Sequence, residues 1–439
     1  MNRDLLYSFI VFWGIWILIP ILVDGVIALV HIVFSWRELR ERKKDDANDG
    51  RLPGFYPQIS VVIPVFNSES TLLECLESVA CQTYPMGRVE LFLIDNGSTD
   101  GSLAVFQSFS DKNPDMILRW IKLNEPGKAK ALNTGIFLGS SEILINIDSD
   151  TKLGPNVLME TVKALFAQEE VAGATAAIMI DFSRISKKSL LLRLVQSCEL
   201  VEYLEAFFIG RKYQAHHNNL FTLAGAFSCF NRKSLLQTFL YDQNSISEDT
   251  KLTFELRRKN QCKKIMFLEN AKVYVEPIPS LKKLYSQRVR WQRGELEVIA
   301  SYVDHYKGGL LKLARSYAAR TLFVDHTLMF PRIVWTILTP LLIFFGYPME
   351  LIILANFFVY LVYLFIDINY LLIAYQHIDG EYQDYLKNNA WRVIFMPLYR
   401  FLVFWFRAAG AIHAVTERAI WTVEDPVNQT IKAIGKLKH

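Results

Sequence analysis

Apolar and polar positions divide the chain into three regions. Residues 5–34 are apolar with a single acid, Asp24. About 20 apolar residues cross a bilayer, so this run predicts a spanning helix, kinked where Pro20, Asp24 and Gly25 interrupt it. A cleaved signal peptide would have a shorter core and a small-residue cleavage site. Arg37, Arg40, Arg42, Lys43 and Lys44 follow at once, which by the positive-inside rule sets this flank in the cytoplasm. Residues 45–54 read as a polar linker.

The middle region alternates short apolar runs with helical stripes. Residues 59–67 form a strand closed by a turn. Leu72, Leu73, Leu76 and Val79 mark a helix, 89–94 and 118–123 are strands, and 125–135 leads into a helix. The run 143–147 is a short strand bounded by polar residues. Strand and helix at this spacing mean βαβ units and a mostly parallel sheet. Further on, 171–180 is a strand. Residues 191–208 have helical spacing with Glu199, Glu202 and Glu205 interleaved. Residues 222–230 turn from small to apolar and suit a floor for an acceptor. Residues 245–250 precede a helix that runs to Arg258, with Ser247 placed to cap it.

The third region is apolar again. Residues 310–331 mix charge with apolar residues, as an interface helix does. Two spans are expected at 333–349 and 351–375, joined by a tight turn at 346–350. A third segment, 391–415, holds Arg392, Arg400 and Arg407 and is either a span or a helix lying in the interface. The tail lysines Lys432, Lys436 and Lys438 favour a cytoplasmic end.

Composition sharpens this picture in two places. The 439 residues are 51% hydrophobic and 21% charged, with a mean hydropathy of +0.18, because apolar residues crowd both ends. A net charge of +4 gives no reason to expect a nucleic-acid partner. The five cysteines form no CxxC pair and read as buried thiols of a reducing compartment.

Candidate chemistry gathers at strand ends. Asp148 and Asp150 follow the strand 143–147, where open α/β sheets collect ligands. Two such acids suit Mg²⁺ or Mn²⁺ shared with phosphate oxygens. Asp95 ends another strand and can accept a hydrogen bond from the N–H of a nucleotide base. Lys128 can offer a point charge to a diphosphate. Neither GxxxxGK[ST] nor GxGxxG is present, so this is neither a Walker loop nor a Rossmann fingerprint. Asp249, with Glu248 before it, is a candidate general base for an acceptor hydroxyl. In Gln287-Arg-Val-Arg-Trp291, the indole of Trp291 has a stacking face for a sugar and Arg290 suits phosphate.

Assembled, these residues resemble the family 2 glycosyltransferases, in particular the membrane-embedded processive synthases of poly-N-acetylglucosamine, hyaluronan, chitin and cellulose. The resemblance rests on Asp95, the 127–129 and 131–133 stretches, Asp148-Ser-Asp150, Glu248-Asp249 and Gln287-x-x-Arg290-Trp291, which occur in the family's order across 58–295. It implies a GT-A fold, a UDP-sugar donor such as UDP-N-acetylglucosamine, and inversion at the anomeric carbon. Asp95 would bind uracil, and Asp148 and Asp150 the diphosphate and metal. Asp249 would be the base, and Gln287, Arg290 and Trp291 would hold the diphosphate and the acceptor end. The family's usual second acid after Asp95 is Asn96 here, and no Phe-x-Val-Thr motif of cellulose synthases is present. Size and membrane layout look most like the bacterial poly-N-acetylglucosamine synthases.

The expected layout is a spanning helix at 1–36, a basic cytoplasmic linker at 37–57 and a GT-A domain at 58–300. Interface helices at 301–331, a membrane region at 332–415 and a tail at 416–439 complete it. The enzyme expected is a multi-pass cell-membrane protein with its catalytic domain in the cytoplasm. It extends a polysaccharide amid membrane lipids, alone or with an accessory export subunit. The alternative is a single addition to a lipid acceptor, and a third reading is a scaffold that keeps the fold without the chemistry.

Overall fold

The computed structural model describes residues 25–45, 55–166, 170–304, 341–378 and 380–416. Helix α1 is Val26–Asp45. Residues 37–45 of the basic flank therefore continue this helix. Most of the expected first span, all of 310–331 and residues 333–340 of the expected span 333–349 lie outside the described residues.

The domain that follows builds in chain order. Its first half is β1 (Ile59–Val65), α2 (Leu72–Ala80), β2 (Val89–Asp95), α3 (Ser102–Lys112), β3 (Ile117–Lys122), α4 (Lys128–Leu138) and β4 (Ile143–Ile147). Then come β5 (Lys152–Leu153), α5 (Val157–Phe166), β6 (Val171–Ile180) and α6 (Leu190–Tyr203). A π-helical turn, Leu204–Gly210, carries α6 into α7 (Arg211–His216). The rest is β7 (Phe227–Asn231), α8 (Glu248–Lys259), β8 (Lys264–Val275) and α9 (Leu281–Asp304). Beyond it lie α10 (Met349–His377), α11 (Gly380–Asn389), a 3-10 turn (Ala390–Phe395) and α12 (Met396–Thr416).

The eight strands form one sheet in the order β3-β2-β1-β4-β7-β6-β8-β5. The β3-β2-β1-β4 half is parallel throughout. The other half is mixed: β7 runs antiparallel to both β4 and β6, β5 runs antiparallel to β8, and β6 and β8 are parallel. The expected parallel sheet is thus half of a mixed one. Every residue of β1, β2, β4 and β6 is buried. This is why they read as continuous apolar runs, as sheets covered on both faces do. Burying each Val, Leu or Ile stabilises by roughly 1.5–3 kcal/mol, so these strands hold the loops at their ends in fixed places. Of the cysteines, Cys75, Cys198 and Cys229 are buried as expected, whereas Cys81 and Cys262 are exposed.

Two stretches among the described residues are long and apolar enough to cross a membrane, Met349–His377 and Gly380–Val415. Gly346 takes φ +79 at the turn before α10, where the sequence places a turn. The arginines of the last segment face inward. Arg400 Nε donates to Asp367 Oδ1 at 2.8 Å and its Nη2 also pairs with Glu205. Arg407 Nε donates to Gln292 Oε1 at 2.7 Å, and Arg392 Nη1 to Ser197 Oγ at 2.7 Å. The interleaved acids of α6 and the π-turn are the other half of this seam. Glu202 accepts from Arg288 at 2.5 Å and from Tyr399 at 2.7 Å.

Candidate active site

The parallel half of the sheet brings three loops to one edge. Side chains then stitch the loops together. Asn67, after β1, accepts at Oδ1 from Thr99 N at 2.9 Å, and its N–H donates to Ser98 Oγ at 3.1 Å. Ser68 and Ser149 hydroxyls meet at 2.7 Å, tying the end of β1 to the end of β4. Asp95 is 4% exposed, and its Oδ1 accepts from Ser98 N at 2.8 Å. That bond closes the turn after β2 and leaves Oδ2 as the second acceptor of the carboxylate. Asn96, where the family's second acid is expected, accepts at Oδ1 from Gly127 N. It thereby fastens the β2 turn to the start of α4.

Lys128 is the first residue of α4 and reaches across to β4. Its Nζ lies 2.6 Å from Asp148 Oδ1. Burial works to lower the ammonium's pKa, but Asp148 and then Glu248 outweigh it, and the net shift is upward. Asp150 stands at the rim of the same loop. The surrounding walls and then the charge of Asp148 push its carboxyl up, against the pull of Lys128. Gly225 forms the opposite wall: a Cβ there would sit 3.2 Å from Asp148 Oδ2 and 3.3 Å from Lys128 Nζ. The small residues before β7 therefore let backbone approach these charges closely.

The loop 222–226 also joins the site to α8. Thr250 Oγ1 donates to Thr222 Oγ1 at 3.2 Å, and Leu223 N donates to Thr253 Oγ1 at 2.8 Å. Glu248 and Asp249 occupy the first turn of α8, where acids suit the helix dipole. Ser247 precedes them but makes no side-chain capping bond, contrary to expectation. Its hydroxyl is instead packed against α9 at Gly294, where a Cβ would come within 1.9 Å of Ser247 Oγ. Glu248 is buried, and burial raises its carboxyl to about 7; Lys128 opposes the shift and Asp249 adds to it. Asp249 is half-buried and accepts at Oδ1 from Thr250 N at 2.7 Å.

Helix α9 carries Gln287, Arg290 and Trp291 to this side, all half-buried. The charge of Arg290 acts on both Lys128 and Glu248, which puts it near the Lys128–Asp148 pair. Gln287 Oε1 accepts from Arg288 Nη1 at 2.9 Å. The indole of Trp291 is not a free platform. The Arg288 guanidinium lies 4.3 Å from its centroid, and Phe207 meets it edge-on at 5.6 Å. The structure thus brings Lys128, Asp148, Glu248 and Arg290 within electrostatic reach of one another. Asp95 lies along the same sheet edge, and Trp291 sits beyond, against the π-turn.

Sequence reading did not single out Asn96 as a fastener, Gly225 and Gly294 as close approaches, or Arg211 at the start of α7. Only Arg211 carries a signal, the first of two basic residues that follow the apolar run 206–210.

A sheet with its parallel half feeding an acidic, lysine-bridged cleft is the architecture of the GT-A glycosyltransferases. A mannosyltransferase from Pyrobaculum calidifontis, solved in complex with GDP-Man and Mn²⁺, shares the fold with a TM-score of 0.56. It is 16% identical in sequence, and the alignment covers 91% of this chain and 99% of that one. Residues 60–239 match the model of glycosyl transferase family 2. The poly-beta-1,6-N-acetyl-D-glucosamine synthase of Staphylococcus epidermidis is 26% identical over 241 residues, which is 55% of either chain. That of Staphylococcus aureus strain COL is 25% identical over 298 residues, 67% of this chain and 66% of the relative. The matches thus span between half and two thirds of these relatives.

Proposed function

We propose that the protein is an inverting glycosyltransferase at the cytoplasmic face of a membrane. It transfers N-acetylglucosamine from UDP-N-acetylglucosamine to the end of a growing polysaccharide. The observation that carries this reading is the Lys128–Asp148 pair at 2.6 Å, set within electrostatic reach of Glu248 and Arg290. The names of the staphylococcal relatives supply the sugar and the polymer.

In this reading Asp95 Oδ2 accepts from the uracil ring, its partner oxygen being held by Ser98. Lys128 and Arg290 draw the diphosphate in and balance its charge as it leaves. Asp249 takes the proton from the acceptor hydroxyl while that oxygen attacks the anomeric carbon from the face opposite UDP. Single displacement from that side inverts the centre. The helix dipole and Thr250 keep Asp249 in place for this work. Trp291, backed by Phe207 and Arg288, borders the acceptor end.

The cleft also suits a divalent cation. No group of three or more His, Cys, Asp or Glu side chains gathers among the described residues. Asp148 and Asp150 are nevertheless adjacent and mutually repelling, which is the donor set Mg²⁺ or Mn²⁺ uses when phosphate oxygens and water complete its shell. Such an ion supplies neutralisation of the diphosphate. Asp148 and Asp150 would hold it.

Membrane placement rests on α10 and α12. Ile353, Leu354, Phe357 and Phe365 on α10 are all more than half exposed, an apolar surface that lipid would cover. Arg37 and Arg40 on α1 support a cytoplasmic catalytic side.

The test is to incubate the purified full chain with labelled UDP-N-acetylglucosamine and size the product. A ladder of long chains is expected. A single product of one added sugar on lipid would replace this reading with single addition, and no transfer with any UDP-sugar would end it.

A further inference from the structure

Among the described residues, one buried guanidinium is left over when the site and the inward-facing arginines are accounted for. Arg211 opens α7 directly after the π-turn and is 4% exposed. Arg288 is as deeply buried, but Glu202 pairs with it. Among the described residues, the Nη1 of Arg211 has no hydrogen-bond partner. A buried, unsatisfied donor calls for an explanation, because its desolvation is not recovered within the fold.

The surroundings of Arg211 point into the acceptor side of the cleft. Its guanidinium lies 4.5 Å from the centroid of the Phe207 ring. Phe207 in turn abuts Trp291 at 5.6 Å. The widened π-turn sets Phe207 and Arg211 on one face, and such turns recur at functional sites. Burial lowers the guanidinium's pKa to about 10, and Asp249 is the largest charge pulling it back up, ahead of Tyr203. Asp249 acts on Arg211 through space. A fixed cation near a carboxylate that does not pair with it suits a neutral, oxygen-rich ring as ligand.

We propose that Arg211 binds the acceptor: its guanidinium donates a hydrogen bond to an oxygen of the terminal sugar, beside the hydroxyl that faces Asp249. This rests on the glycosyltransferase reading above and adds a residue to it. The planar fork, held flat by Phe207, suits hydroxyl and acetamido oxygens, and a guanidinium gives up water more readily than an ammonium does. Arg290 and Lys128 serve the anionic donor, so Arg211 is left for the uncharged partner.

The experiment compares wild type with Arg211→Lys and Arg211→Met in the full-length chain in detergent. The donor is UDP-N-acetylglucosamine, and the acceptor probe is a short β-1,6-linked N-acetylglucosamine oligosaccharide. Both variants are expected to raise the acceptor KM about 10–100-fold, the range for a lost charged hydrogen bond. Donor Kd and slow hydrolysis of donor by water should stay at the wild-type level. An unchanged acceptor KM in a folded Arg211→Lys protein overturns the proposal. So does a parallel rise in donor Kd, which would make Arg211 a prop of the whole cleft. Should Arg211→Met fail to fold, Arg211→Lys carries the test; failure of both to fold assigns a structural role and also overturns it. A wild-type protein that does not extend the oligosaccharide refutes the parent reading, and this is seen before any variant is compared.

Discussion

Lys128 Nζ and Asp148 Oδ1 stand 2.6 Å apart, one at the start of a helix and the other just past the end of a strand. The bond ties two loops that share no strand pairing, and it keeps a cation among three acids. Removing it leaves Asp148 without its partner and, in the proposed function, the donor without a point charge. Lys128→Met should weaken UDP binding by about 10–100-fold. Calorimetric titration with UDP checks this, and a Kd within about twofold of wild type would count against Lys128 as a donor ligand.

Asp249→Asn keeps the shape and the Thr250 contact but cannot take a proton. Donor affinity should hold while transfer falls roughly 10²–10⁴-fold, the contribution of a positioned base. Stopped-time assays beside UDP titration separate the two. Near-normal turnover would reduce Asp249 to a helix-start residue.

Two adjacent carboxylates cannot neutralise a diphosphate. Excess chelator should abolish transfer, and Mg²⁺ or Mn²⁺ should restore it. Asp150→Asn should raise the metal concentration needed for half-maximal rate. Full turnover in chelator is the contrary result.

Trp291 is packed from one side by Arg288 and from the edge by Phe207. Trp291→Ala should therefore cost polymer yield more than UDP affinity, and Trp291→Phe should recover part of the yield. Equal loss of both activities in the alanine variant would mean that the indole merely supports α9.

Glu248 yields a stability prediction. Its carboxyl rises from an ordinary 4.5 to about 7 in the fold. The folded chain thus holds that proton more tightly than the unfolded one. The stabilising contribution is complete below about pH 4.5 and is lost as pH climbs through 7. Glu248→Gln has nothing to ionise there. Without donor, its Tm should gain on wild type across this window and run parallel above it. Parallel Tm curves throughout would show that Glu248 ionises normally.

The strands that place Asp95 and Asp148 could be read from the sequence because burial on both faces makes them unbroken apolar runs. The start of α8 was visible through its paired acids. The antiparallel insertion of β7 was not, since strand direction depends on pairing partners far along the chain. Ser247 misled for a related reason. A serine before a helix looks like a cap, but its hydroxyl is committed to Gly294, 47 residues away and on another helix. Trp291 likewise carried no mark of Arg288 across its face, and Arg211 none of its burial, because both follow from how α6, its π-turn and α9 pack together.

Arg400 reaches from α12 to Asp367 on α10 and to Glu205 on the π-turn. A cut made after α9 to obtain a water-soluble enzyme would strand Glu205 without its cation and remove the Tyr399 hydroxyl from Glu202. The globular part and the last two helices therefore mature as one object. During synthesis Glu205 waits for Arg400, which emerges 195 residues later, and Ser197 waits for Arg392 across the same separation, so the seam along α6 and the π-turn closes only when the last helices arrive.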